Sequence, residues 1–181
     1  PAANKRENGA KYKDLYVEGP WMSKHNGKYY MLYAAGGIPE HIAYSMSDSP
    51  EGPWKYMGDV MPLQDTKSFT NHCGVIDYKG NSYFFYHTGK LPGGGGFARS
   101  AAVEEFKYNT NGTFPQIKAT DEGVAPIATF NPYRRIEAET IAFSKGVKSE
   151  PNAKTGVYIS DIHDGDWIKV RNVDFGSTSP K

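Results

Sequence analysis

The sequence predicts an all-β protein that contains blades of a β-propeller. Aromatic residues make up 14% of the 181 residues, and 20 Gly and 12 Pro supply many turns, which is typical of short strands joined by tight turns. A Gly turn followed by an aromatic strand occurs at 26–33 and again at 79–86. A repeat of about 50 residues is the spacing of propeller blades.

Each repeat is predicted to form four short antiparallel strands. The strands are predicted at 17–22, 26–33, 42–46 and 56–58 in the first blade, and at 73–78, 79–86, 97–101 and 110–112 in the second. Two blades cannot close a ring, because strand edges and apolar faces stay uncovered. We therefore expect the chain to be a piece of a larger protein, or to be completed by a companion chain that carries the missing blades.

The pattern changes after residue 113, which ends the predicted propeller region 1–113. Residues 114–134 contain three prolines and little alternation, which predicts a linker packed along the surface. Short β patterns resume at 135–139 and recur up to 173–176. Segment 135–181 is therefore predicted to begin a β-sandwich, which it is too short to complete.

Composition excludes several classes of partner. The net charge is +1, from 21 basic and 20 acidic residues that form no basic stripe, so nucleic acid is not an expected partner. No apolar stretch reaches the length of a membrane span, so no membrane partner is expected. Cys73 is the single cysteine, which leaves no intrachain disulfide and no multi-cysteine metal site. No phosphate-binding motif is present, and we expect no organic cofactor.

The string Glu-Gly-Pro-Trp occurs at 18–21 and again at 51–54. Glu51 lies among turn residues and is predicted to be solvated at a hairpin tip. Taken alone, Glu18 could be a surface glutamate before a turn, but it continues the incoming strand of Leu15-Tyr16-Val17. The first strand of a blade lines the channel of a propeller. A carboxyl group held against a ring such as Trp21 has a raised pKa, which the general acid of glycoside cleavage requires. The repeat places His72 on the corresponding strand of the second blade.

Further motifs follow in order along the first region. They are Asn26-Gly27-Lys28-Tyr29-Tyr30, Ala43-Tyr44-Ser45, Asn71-His72-Cys73-Gly74, Tyr86-His87, Phe97-Ala98-Arg99-Ser100 and Tyr108-Asn109-Thr110-Asn111-Gly112-Thr113. With Glu18-Gly19-Pro20-Trp21, this ordered set resembles the last two blades of glycoside hydrolase family 43, the five-bladed β-propeller arabinofuranosidases, xylosidases and arabinanases. Residues 135–176 resemble the opening of a family 6 carbohydrate-binding module, a jelly-roll sandwich, through Arg135-Ile136-Glu137-Ala138-Glu139 and Asp161-Ile162-His163-Asp164-Gly165-Asp166-Trp167.

The resemblance implies that Glu18 is the proton donor of an inverting glycoside hydrolase that cleaves arabinofuranosyl or xylosyl linkages in hemicellulose. The family's general base and pKa-modulating residue are aspartates of earlier blades, and Asp14 does not match the base motif. We therefore expect the chain to carry the general acid without the general base. On its own it should not hydrolyse glycosides.

Five other residues are candidate binding residues, four of them (all but Trp21) through the resemblance. Arg99 should contact sugar hydroxyls, although a strand arginine more often pairs with a carboxylate. Trp21 should lie beside the sugar or in the core. His72 is either structural or faces the channel, where it would contact sugar or hold calcium with several waters. Glu137 and Glu139 are predicted on one strand face, either holding a structural calcium or simply exposed.

Plant cell-wall polysaccharides or oligosaccharides, from xylan, arabinoxylan or arabinan, are the expected partners, and the expected location is extracellular or periplasmic. Two alternatives remain at this point. The chain could belong to a polysaccharide-binding protein without catalysis, or to a propeller scaffold for protein contacts. The inner-strand pair Glu18 and His72 favours the enzyme over the scaffold.

Overall fold

The computed structural model describes residues 15–177. The chain divides into two compact units, Pro1–Val124 and Ala125–Lys181. Within the described range, no helix combines the length and the apolar character that crossing a bilayer requires. The strands of the first unit are β1 (Tyr16–His25), β2 (Lys28–Ala35), β3 (His41–Ser47), β4 (Lys55–Met61), β5 (Gly74–Tyr78), β6 (Asn81–Thr88) and β7 (Ser100–Phe106).

The first blade is the four-stranded antiparallel sheet β1-β2-β3-β4, which confirms that prediction. Asn26 and Gly27 join β1 to β2 with positive φ angles of 46° and 78°, the geometry that a two-residue hairpin turn requires. This turn fixes the register with His25 opposite Lys28. Buried and exposed residues alternate only weakly along β2, because both faces of this strand are covered. Tyr30, Leu32 and Tyr33 are all fully buried.

The second blade has three strands in the described chain, in the order β5-β6-β7. The predicted fourth strand at 110–112 is wrong. Residues 109–113 form a turn instead of a strand. The N–H of Asn109 donates to the carbonyl of Thr113, and the side chain of Asn111 accepts the N–H of Thr113. Asn favours a turn here because its side chain competes with strand pairing, and Gly112 supplies a positive φ of 80°.

The segment after this turn packs into the first unit. Phe114 and Ile117 are buried with the core of both sheets, and the Ile117 N–H donates to the carbonyl of Val60 at 2.7 Å. Glu104, itself buried, accepts the N–H of Thr120 at 2.7 Å. The boundary between the two units therefore falls inside the predicted 114–134 linker, and the first residues of that segment are core rather than surface.

The second unit holds two small antiparallel sheets. Strand β8 (Phe143–Lys145) pairs with β11 (Trp167–Lys169), and β9 (Lys148–Asn152) pairs with β10 (Gly156–Ser160). The predicted strand at 135–139 is wrong, because the N–H of Thr140 donates to the carbonyl of Glu137 and closes a turn. The predicted strand at 173–176 is reduced to a single bridge between Val173 and Phe130.

Candidate functional site

Backbone irregularities in β1 set the position of Glu18. The pairing of β1 with β2 shifts register just before Glu18 and again between Glu18 and Trp21. Bulges of this kind redirect side chains and are frequent beside active sites. Gly19 has a φ of 60°, and a Cβ added to it would lie 2.8 Å from Cγ of His72. Only glycine allows β1 to approach the histidine so closely while holding this backbone conformation.

Glu18, Glu40 and His72 form one cluster at this end of the two blades. Oε1 of Glu18 lies 3.3 Å from Nε2 of His72. One polar atom from each of the three side chains lies within 4.8 Å of the others. The Glu18 side chain is 52% exposed, whereas Glu40 is 6% exposed. The cluster therefore has one carboxyl group open to solvent and one beneath it.

Buried hydrogen bonds hold Glu40 and the segment before β5 together. The N–H of Glu40 donates to the carbonyl of Phe69 at 3.0 Å, and Oε2 of Glu40 accepts the N–H of Asn71 at 2.7 Å. Oδ1 of Asn71 in turn accepts the N–H of His87 at 3.0 Å. These bonds connect the start of β3, the segment before β5 and strand β6.

The two carboxyl groups have opposite pKa shifts. The neighbouring His72 imidazole and then Glu40 lower the pKa of Glu18, despite a smaller opposing effect of desolvation. Burial raises the pKa of Glu40, and the adjacent Glu18 adds to this, although the N–H of Asn71 opposes it. The predicted rise in the pKa of Glu18 is therefore wrong for this chain. The neighbours that decide its pKa are His72 and Glu40, not an aromatic wall.

Arg99 lies just before β7 and close to this cluster. Its Nη1 is 3.5 Å from Oγ1 of Thr70 and 3.5 Å from Nδ1 of His87. Nδ1 of His87 also accepts the backbone N–H of His72 at 3.3 Å, so it acts as a neutral acceptor. Burial lowers the pKa of His87, and the positive charge of Arg99 lowers it further. The structure thus places Arg99 close to Glu18 and His72.

Trp21 lies in β1, three residues after Glu18, with 42% of its surface exposed. Its ring lies over Gly74 at the start of β5, where an added Cβ would meet the ring at an ordinary 3.8 Å. Of the two roles predicted for Trp21, a fully buried core position does not describe it. Half-exposed indole rings are suited to stacking against a sugar.

The three clustered side chains could also hold a cation. Among the described residues they are the one group of three or more carboxylate, imidazole or thiol side chains close enough to share an ion. Two carboxylates and an imidazole are an acceptable ligand set for a divalent metal. Glu137 and Glu139 lie in a turn rather than on one strand face, and Glu137 pairs with Arg135 at 3.1 Å. The geometric argument for a calcium pair there is lost, because it depended on strand alternation.

Sequence reasoning missed Glu40. It lies one residue before β3, and β3 begins opposite the end of β2, where Glu18 pairs with Ala34. Aligning the predicted strands of the first blade would have placed residues 18 and 40 at the same end of the sheet. The missing signal was burial, because a glutamate beside a proline in a loop is ordinarily exposed.

Comparison with known families gives one match across most of the chain. Residues 3–114 match the family described as "Glycosyl hydrolases family 43". An arabinoxylan arabinofuranohydrolase from Paenibacillus polymyxa is 34% identical over 180 residues, which covers 87% of this chain and 28% of that protein.

Solved structures give the same result. A family 43 arabinoxylan arabinofuranohydrolase from Bacillus subtilis, in complex with cellotetraose, aligns with a TM-score of 0.73 and 31% identity over 89% of this chain and 37% of its own. A family 43 β-xylosidase/α-arabinofuranosidase from a compost microbial metagenome, with xylotriose and calcium-free, aligns at 0.54 and 34% identity over 60% of this chain and 32% of its own. The chain thus spans about a third of the length of these relatives.

Proposed function

This chain belongs to glycosyl hydrolase family 43, and on that premise we propose that it is part of an inverting glycosidase that cleaves arabinofuranosyl or xylosyl linkages in hemicellulose. The observation that carries the proposal is the convergence of Glu18, His72 and Arg99 at one end of the two blades. Relatives described as acting on arabinoxylan, and one solved with xylotriose, support this substrate class.

Glu18 is the proposed general acid. It is the solvent-accessible carboxyl group of the cluster and can reach the oxygen of a leaving group. Glu40 is not the general base, because an inverting enzyme separates its two carboxyl groups by about 6.5–9.5 Å to admit a water molecule. The atoms of Glu18 and Glu40 approach within 4.8 Å, and Glu40 is buried. The base is proposed to lie in a part of the enzyme outside this chain.

The lowered pKa of Glu18 has a consequence for this proposal. A general acid must hold a proton near the working pH, and the groups in this chain favour the ionised form. A further carboxylate close to Glu18 would raise its pKa by repulsion, and the general base and modulating aspartate would have this effect. The chain alone is therefore proposed to be inactive.

Arg99, Trp21 and His72 are the proposed sugar-binding groups. The guanidinium of Arg99 can donate two hydrogen bonds to vicinal hydroxyls, and the exposed ring of Trp21 can stack against a sugar face. If calcium is present, His72 would hold it through water, because calcium prefers oxygen ligands. Glu18 must stay free of the ion, since a coordinated carboxylate cannot carry the proton.

The second unit is proposed to begin a carbohydrate-binding module, on its sequence resemblance alone, with Glu137 and Glu139 as its predicted calcium ligands. A polysaccharide substrate is too large to enter a cell, and we therefore propose an extracellular or periplasmic location. We also propose that the remaining blades lie in the rest of the protein or in a companion chain, on the same resemblance.

One observation favours a second candidate, a polysaccharide-binding protein without catalysis. An ionised Glu18 beside Arg99 can accept hydrogen bonds from sugar hydroxyls without any proton transfer. The two candidates differ in whether the complete polypeptide cleaves a glycosidic bond.

The Glu18→Gln variant of the complete polypeptide tests the proposal. Aryl arabinofuranosides or xylosides with poor leaving groups should lose about 10²–10⁴-fold in kcat, because they depend on protonation. Substrates with a dinitrophenyl leaving group should lose far less. The matched control is Glu51→Gln, which changes the same residue type in the second Glu-Gly-Pro-Trp copy and should leave both rates unchanged. Equal losses for both leaving groups would reject the acid role, and an inactive wild type that binds arabinoxylan would favour the second candidate.

A further inference from the structure

We propose that Glu40 is a positioning residue for Glu18, whose buried carboxyl group fixes the segment that carries His72 against the acid. The inference rests on the proposed function of Glu18. It is independent of any metal ion and of the general base.

The first support is the way Glu40 is held. Its backbone N–H and its side-chain Oε2 both bond to the segment before β5, through the carbonyl of Phe69 at 3.0 Å and the N–H of Asn71 at 2.7 Å. One hydrogen bond holds the side chain, the other holds the backbone beneath it, and the residue is only 6% exposed. Glu40 is therefore a rigid part of the site.

The second support is what the Asn71 contact controls. Asn71 is also buried, and its side chain accepts the N–H of His87 at 3.0 Å. The next residue, His72, donates its own N–H to Nδ1 of His87 at 3.3 Å. The bond from Asn71 to Glu40 thus fixes the backbone from which the His72 ring reaches Glu18.

The third support is the position of Glu40 relative to the acid. The polar atoms of Glu18, Glu40 and His72 lie within 4.8 Å of one another, and Glu18 is the exposed member. A half-exposed glutamate has many rotamers, and contacts on two sides restrict them. Glu40 acts on Glu18 both directly and through His72.

A second buried glutamate provides a matched comparison within the same unit. Glu104 is 8% exposed, and its Oε1 accepts Tyr86 OH at 2.9 Å and the N–H of Thr120 at 2.7 Å. Its recorded partners lie in β6 and in the segment after residue 113, not at Glu18. Variants of Glu104 therefore measure the effect on stability of a buried carboxyl group that does not contact the site.

The experiment compares Glu40→Asp with Glu40→Gln in the complete polypeptide. The Asp side chain keeps the charge but withdraws the carboxyl group by one methylene, whereas the Gln side chain keeps the length and an oxygen that accepts the Asn71 N–H. With a poor leaving group, Glu40→Asp should lower kcat by about 100-fold, the cost of a small misplacement, with little change in KM. Glu40→Gln should retain most of the activity.

The leaving group separates positioning from general damage. If Glu40 acts through Glu18, the loss in Glu40→Asp should shrink sharply on a dinitrophenyl substrate, as it does in Glu18→Gln. Glu104→Asp should lower the thermal midpoint without a leaving-group effect. Should Glu40→Asp fail to fold, Glu40→Met replaces it, because Met is close in length but cannot accept the Asn71 N–H. It should show the same leaving-group-dependent loss, and a wild-type-like Glu40→Met would reject the inference.

Three results would overturn the inference. In the first, the activity loss of Glu18→Gln depends on the leaving group but that of Glu40→Asp does not. This result would reject the positioning role of Glu40 and leave the acid role of Glu18 intact. Another is a Glu40→Gln variant as impaired as Glu40→Asp, which would show that keeping the side-chain length and the Asn71 contact does not preserve activity. Absence of any leaving-group effect in Glu18→Gln would reject the proposed function, and the inference with it.

Discussion

Two regions of the molecule share the same four residues, Glu-Gly-Pro-Trp, and use them differently. In the first copy, at 18–21, Glu18 faces His72 and Trp21 is 42% exposed. In the second copy, at 51–54, Glu51 is exposed in a turn and Trp54 is 6% exposed. The glutamate is open to solvent in both copies, but only Glu18 has a histidine partner, and only Trp54 is covered.

The difference comes from where each copy lies in the blade. The first copy is inside β1, whose register shifts present Glu18 to the neighbouring blade. The second copy lies between β3 and β4, where the N–H of Gly52 donates to the carbonyl of Ser49 and closes a turn. A short motif therefore has no fixed function, and the strand that contains it decides which side chain meets a partner.

The largest contrast is expected between the two tryptophans. Trp54→Ala should destabilise the fold by about 3 kcal/mol, because it leaves a cavity at a buried site. Trp21→Ala should cost less than half as much, since its ring is already partly in water. Chemical denaturation of both variants measures the two free energies of unfolding. Equal losses would mean that Trp21 belongs to the core and would weaken its proposed role beside the sugar.

A smaller contrast is expected between the two glycines. Gly19→Ala and Gly52→Ala both place a side chain at positive φ, 60° and 91° respectively, and each should cost about 1–2 kcal/mol. The added Cβ would crowd His72 at 2.8 Å in the first variant and Trp54 at 2.9 Å in the second. Only Gly19→Ala should also lower kcat of the complete polypeptide. Similar kcat values for the two variants would contradict the close approach of β1 to His72.

The smallest effect concerns the acidity of Glu18. His72 and Glu40 lower its pKa, so the folded chain favours its ionised form. The resulting stabilisation is present above the unfolded-state pKa and is lost as pH falls through the lower folded value. Because Glu18 is exposed, the change in stability should be slight. Carbon-13 NMR of the Glu18 carboxyl in this chain should show a titration below the usual range, which His72→Phe shifts upward. An unchanged titration in that variant would remove His72 as the main cause.

Much of the first blade was readable from the sequence because its signals are local. The Asn26-Gly27 and Lys79-Gly80 turns mark two hairpins, and aromatic residues between them mark the strands. The repeat also relates His72 to the region of Glu18, one blade further on, but the prediction that His72 lies on the corresponding strand is wrong, because β5 begins only at Gly74. The hairpins are predicted from their turn residues alone, and the relation between the two blades is predicted from the repeat length alone.

What the sequence did not reveal depends on long-range burial. The sequence predicts that the nearby Trp21 raises the pKa of Glu18. In the structure this pKa is lowered by His72 and Glu40, which lie 54 and 22 positions away in the sequence. The strand expected at 135–139 failed for a related reason, since alternation alone cannot tell a strand from a turn that a single backbone hydrogen bond closes.

The segment after residue 113 bears on how this protein should be divided for expression. A gene fragment ending at the predicted border would lack Phe114 and Ile117, which fill the core shared by the two sheets. It would also strip Glu104 of its bond to Thr120, leaving a buried carboxyl group short of a donor. A fragment ending at Val124 retains all three residues. The first unit therefore needs about ten residues beyond the last turn of the second blade, because those residues complete its core.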